Sequence, residues 1–98
     1  MAKEIKMEPE DAIDYVRKNV NVGDILEISY NRIYSPGEVL GITEEDPETG
    51  EGLTISLQLN GEMLTDVVDI DMKNIVDELV EMRHIHEDEE IVIEFYWI

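Results

Sequence analysis

The chain has 98 residues, 43% of them hydrophobic, with no cysteine and with 25 Asp and Glu against 7 Lys and Arg, a net charge of −18. That length and apolar content predict one domain over residues 1–98 with a modest core and little room for a deep substrate cleft. The missing cysteines exclude disulfides, thiolate metal sites and cysteine nucleophiles, and the negative field disfavours nucleic acid and membrane as partners while attracting metal cations, polyamines and basic proteins.

No apolar run approaches the roughly 18 residues needed to span a bilayer. The opening MAKEIKMEPED lacks the apolar stretch of a signal peptide, so a cytoplasmic setting is expected. Pro9 suits a first helical turn. Ala12, Ile13, Val16 and Val20 follow at helical spacing, with Glu10, Asp11 and Asp14 early and Arg17 and Lys18 late, as the macrodipole prefers. A helix over 9–19 is predicted.

The period then changes to two. Ile25 to Tyr30 reads as a strand, Ser35-Pro36-Gly37 as a turn, and Glu38 to Thr43 as the next strand. Glu44 to Gly52 is an acidic loop. Leu53, Ile55, Leu57 and Leu59 alternate with polar residues, and Asn60-Gly61 is a strong hairpin signal, with Met63 to Asp71 returning as the partner strand. Asp71 is a plausible N-cap for a short helix over 72–80 that gives way to a strand near Glu81. Glu87 to Glu90 reads as a turn and Ile91 to Ile98 as a closing strand rich in β-branched and aromatic residues.

The resulting expectation is an α+β fold: an N-terminal helix, then a curled antiparallel sheet or small barrel of about five strands, with one short helix near 72–80. The stretches Val22-Gly23-Asp24, Pro36-Gly37-Glu38-Val39-Leu40 and Asp69-Ile70-Asp71 resemble the strand rhythm of SH3-like and tudor-like barrels. The whole sequence resembles an uncharacterised family of small acidic proteins from methanogenic archaea, a likeness that implies an archaeal cytoplasmic setting and no particular activity.

Four places carry candidate chemistry. A two-residue turn at Asn60-Gly61 would pair Leu57 with Leu64, Ile55 with Asp66 and Leu53 with Val68. Asp66 then falls on the apolar face, where a carboxylate must be paired, protonated or metal-bound, unless a β-bulge turns it outward. The loop carboxylates Glu44, Glu45, Asp46 and Glu48, with Asp69 and Asp71 on one face of a strand, offer the oxygen ligands that calcium or magnesium takes, although the spacing is not that of an EF-hand. The competing reading is a solvated acidic loop.

His84 and His86 share one face of a strand with Asp88 and Glu90 close behind, an arrangement open to a transition metal or to ordinary surface histidines. Tyr30, Tyr34 and Trp97 could enclose a methylated lysine only if the barrel expectation holds. No catalytic set emerges: there is no phosphate loop, nucleophile elbow or zinc-protease motif, and the serines have no evident base. The sequence therefore points to a non-enzymatic binding protein. Its expected ligand is a divalent cation held by the clustered carboxylates. The alternatives are a basic protein docked on an acidic surface and a domain with no dedicated site.

Overall fold

In a computed structural model of the chain, residues 2–46, 48–49, 51–59 and 67–96 are described. Strand β1 (Ala2–Met7) leads into helix α1 (Asp11–Asn19), followed by β2 (Ile25–Tyr30), β3 (Ile33–Asp46), β4 (Glu51–Leu59) and β5 (Val67–Asp71). A single helical turn, α2 (Met72–Ile75), and a 3₁₀ turn over Val76–Glu78 precede β6 (Leu79–His86) and β7 (Glu89–Phe95). The strands form one seven-stranded sheet in the order β1-β7-β6-β2-β3-β4-β5.

This overturns the expectation of an N-terminal helix feeding a five-stranded antiparallel sheet or SH3-like barrel. A strand precedes the helix, and it pairs parallel with β7, Ile5 opposite Ile93 and Met7 opposite Phe95. Every other pairing is antiparallel, so the sheet is mixed and its edges β1 and β5 do not pair with each other. The β1 segment escapes sequence reading because Ile5 and Met7 are its only large apolar residues, set among Lys3, Glu4 and Lys6. Its parallel partner lies at the far end of the chain.

Helix α1 starts at Asp11, two residues later than expected. Pro9 and Glu10 form a turn that feeds it, with Asp11 N–H bonded to the carbonyl of Glu8 and Ala12 N–H to that of Pro9. Ala12 and Val16 are buried, and Val20 ends the helix in an extended conformation. Because β1 and β2 run in the same direction, α1 is a crossover lying on one face of the sheet, the arrangement parallel strands require.

Strand β3 runs straight through the predicted turn at Ser35-Pro36-Gly37. The chain reverses instead at Asn31 and Arg32, both at positive φ (40° and 67°), a two-residue hairpin with the twist adjoining strands favour. Pro36 is tolerated because it faces Glu27 of β2, while the described pairing with β4 begins one residue later, at Gly37 opposite Leu59. Gly37 is needed there: a Cβ would stand 2.4 Å from the carbonyl oxygen of Gln58.

The hairpin register expected from Asn60-Gly61 also fails. Leu57 faces Val68 and Ile55 faces Ile70, a register that a two-residue turn at Asn60-Gly61 would not give. Asn60, Gly61 and Asp66 lie outside the described residues. The acidic loop is shorter than expected, since β3 continues to Asp46 and β4 resumes at Glu51. Likewise the Glu87–Glu90 turn is confined to Glu87 and Asp88. The Asp71 cap forms, its side chain accepting from Lys73 N–H at 3.0 Å.

The core lies between the sheet and the helices. Leu26 and Ile28 of β2, Val39 of β3, Leu53, Ile55 and Leu57 of β4, Met82 of β6 and Ile93 of β7 meet Ala12 and Val16 of α1 and Met72 of α2. Each fully buried large aliphatic side chain contributes about 1.5–3 kcal/mol. Strand alternation sends the intervening residues to the opposite face, which no described helix covers.

Candidate functional site

Five of the six carboxylates expected to gather around a cation, all but Glu48, have separate partners. Glu44 points to the helix side and pairs with Arg17 of α1. Glu45, one residue on and on the opposite face, accepts from the Thr54 hydroxyl at 2.9 Å. Asp46 accepts from the N–H groups of Glu48 and Thr49, closing the β3–β4 turn in which Glu48 is exposed. Asp69 accepts from the Ser56 hydroxyl at 2.6 Å, and Asp71 caps α2. Strand β4 lies between Glu45 and the two aspartates of β5, a backbone separation of roughly 10 Å across two strand spacings. Among the described residues, no group of three or more His, Asp or Glu side chains is arranged to hold a metal ion.

Of the two histidines, His84 is buried and His86 is partly exposed. His84 and His86 do share a face of β6, and both reach the carboxylate of Asp24, the residue just before β2. Asp24 is 6% exposed and His84 only 3%. An ionised carboxylate only accepts, so His84 donates to Oδ2 through Nε2 at 2.7 Å, and His86 donates to Oδ1 through Nδ1 at 2.5 Å. The N–H of Asn21 adds a third bond to Oδ2 at 2.9 Å. In its neutral form His84 then accepts at Nδ1 from the hydroxyl of Tyr15 on α1, 2.8 Å away, with the two rings edge to face. Composition gave no hint that Asp24, one acid among 25, would be the buried one.

Burial pushes the Asp24 carboxyl up. Hydrogen bonds from His84, His86 and Asn21, with the His84 charge, outweigh it and hold the group below its ordinary value. His86 is held above its ordinary value, first by the bond to Asp24, then by the Asp24 charge, and more weakly by Glu87 and Glu89. Burial, and then the Asp24 charge, push the Tyr15 hydroxyl up. The cluster thus joins α1, the α1–β2 connection and β6 through one carboxylate. The pocket above it, lined by Tyr15, Asn19, His84, His86, Glu89 and Ile91, measures about 120 Å³. That is well below the roughly 300–1,000 Å³ of small-molecule sites, and the geometry is that of a clamp.

The second feature is the uncovered sheet face. Register places on it Glu4 of β1, Glu90 and Glu94 of β7, Glu81 of β6, Glu27 of β2, Glu38 and Glu45 of β3, and Asp69 and Asp71 of β5, with Lys6 and Arg83 as the basic residues. Its apolar residues are interleaved with the charged ones: Ile25 faces Ile85, Pro36 and Tyr34 lie on the neighbouring rows, and Glu27 faces Arg83 between them. Tyr34 is 59% exposed and donates its hydroxyl to Glu27. Tyr30 projects instead toward the core, so the two tyrosines stand on opposite faces, and Trp97 lies outside the described residues. The expected aromatic cage therefore does not assemble from Tyr30 and Tyr34.

Fold and surface together define a small acidic protein built on one mixed sheet, with helices on one face and, among the described residues, no helix on the other. The chain belongs to the family DUF2097, described as an uncharacterized protein conserved in archaea, which it matches over residues 3–94. No curated protein and no solved structure matches it. Among the described residues, no helix is long and apolar enough to cross a membrane.

Proposed function

We propose that this protein is a non-enzymatic interaction module whose open sheet face docks a basic protein. The observation that carries this reading is the combination, on one face that no described helix covers, of the half-buried Ile25, Ile85 and Pro36 and the exposed Tyr34 with glutamates and aspartates spread from β1 to β5. Docking surfaces in general combine apolar anchors with polar groups. The sign of the charged groups selects a cationic partner and speeds its approach. Charge alone does not single out this face, since Asp11 and Asp14 of α1 and Asp77 and Glu78 of the 3₁₀ turn are also acidic.

That distribution supplies the test. Oligolysine titrated into isotopically labelled protein should move the amide signals of Glu27, Glu38 and Glu81 more than those of α1. Reversing one charge on the face, Glu81→Lys, should weaken binding several-fold, whereas Asp11→Lys, with the same change in net charge, should not. Equal effects from the two reversals would leave only a general negative field and end the proposal.

The cation reading has less support, because Glu44, Glu45, Asp46, Asp69 and Asp71 each serve a different local contact. Millimolar calcium or magnesium should shift amide signals broadly over the acidic surface. A saturable response confined to 44–48 and 69–71 would restore a dedicated site.

A further inference from the structure

We propose that the free edge of β5 takes an extended segment of that basic partner as an added strand, an inference that rests on the docking reading above. Among the described residues the sheet order leaves two edges, β1 and β5, and they differ in chemistry. β1 carries Lys3 and Lys6, the kind of residue that guards an edge against further pairing and that repels a basic chain. β5, reading Val-Val-Asp-Ile-Asp, carries no lysine, proline or glycine, and among the described residues it pairs only with β4. Its outward backbone N–H and C=O groups are a template for strand addition. The chain does not fold back over this edge through α2, because Met72 and Ile75 turn inward and pack on β4.

The side chains specify the sequence pattern of the guest. Asp69 and Asp71 point to the open face, beside Ser56 and Thr54 of β4, while Val68 and Ile70 point to the core side. Val67, at the start of the strand and on the same face as the two aspartates, is 55% exposed. A guest strand therefore meets Val67 and two carboxylates on one side, and the half-buried Val68 and buried Ile70 on the other. Lys or Arg at every second position, with Val or Ile between, satisfies both through cross-strand pairs. Asp71 also caps α2, which fixes that end of the edge.

Strand addition is distinguishable from electrostatic adhesion by its dependence on backbone amides. The probe is a nine-residue peptide of alternating Lys and Val, compared with the same peptide N-methylated at every second amide, which keeps charge and side chains but removes one edge of donors. Fluorescence anisotropy with the full chain should show the methylated peptide binding at least about tenfold more weakly, the effect of two lost interstrand bonds. Amide shifts for the parent peptide should centre on Val67–Asp71. The Asp69→Asn/Asp71→Asn variant, which keeps a capping side chain at position 71, should bind the parent peptide more weakly. Equal binding of both peptides, or shifts away from β5, overturns the edge inference and leaves the face reading intact. No binding of either peptide at low salt overturns the docking reading itself.

Discussion

The carboxylate of Asp24 and the imidazole of His84, 60 residues apart in the chain, form a buried hydrogen bond of 2.7 Å that fastens the α1–β2 connection to β6. Around it, Val39 N–H bonds to the Asp24 carbonyl and Gly23 N–H to that of Val39, so the same joint also holds β3. Asp24→Asn keeps the size but turns an amide donor toward one of two imidazole donors. It is expected to lower the unfolding free energy by about 3 kcal/mol, as for other broken buried pairs, read from urea denaturation. Tyr15→Phe leaves Nδ1 of His84 without its donor and should cost about 1–2 kcal/mol in the same assay.

The cluster also sets a pH window. His86 is held above its ordinary 6.5, so its contribution is complete below that pH and is lost as pH rises through the folded value. Asp24 is held below its ordinary 3.8, so its contribution is complete above that pH and is lost as pH falls through the folded value. Stability from these two groups should therefore plateau between about pH 4 and 6.5. His86→Gln should flatten the alkaline limb and leave the acid limb in place. An alkaline limb unchanged in the variant would mean that other groups set it.

Arg17 ties α1 to the sheet through Glu44 and also contacts Asp14 at 2.8 Å. All three side chains are partly exposed, so solvent screens the attraction. A double-mutant cycle with Arg17→Ala and Glu44→Ala should give a coupling of no more than about 1 kcal/mol. The coupling should shrink in molar salt, and a salt-independent value would contradict a screened surface pair.

Gly37→Ala places a methyl 2.4 Å from the Gln58 carbonyl oxygen and 2.9 Å from its carbon, both backbone atoms that cannot move without parting β3 from β4. A loss of about 2 kcal/mol or more is expected. Thermal melts would show it, and faster hydrogen exchange at the neighbouring β3 and β4 amides would locate it.

Asp71→Ala should cost about 1 kcal/mol through the lost cap of α2, and Asp71→Asn only a few tenths. Equal losses from the two would show that charge rather than capping matters at this position.

Segments whose information is local were readable from the chain. The α1 stripe of Ala12, Val16 and Val20, the β2 and β4 alternations and the Asp71 cap depend on neighbours within a few residues. The errors came where a distant partner decides the outcome. Ser35-Pro36-Gly37 has turn composition, yet β2 on one side and the Gln58 carbonyl on the other hold it extended. β1 is made a strand by β7.

The sequence alone determined the charge of −18, the absence of thiol chemistry and the apolar positions that form the core. Only the folded chain decided which acid is buried, which acids face the open sheet and which edge is left without a lysine. Those properties belong to strand order and register. Strand order depends on contacts between residues far apart in sequence, and a shift of register by one residue moves every side chain to the other face.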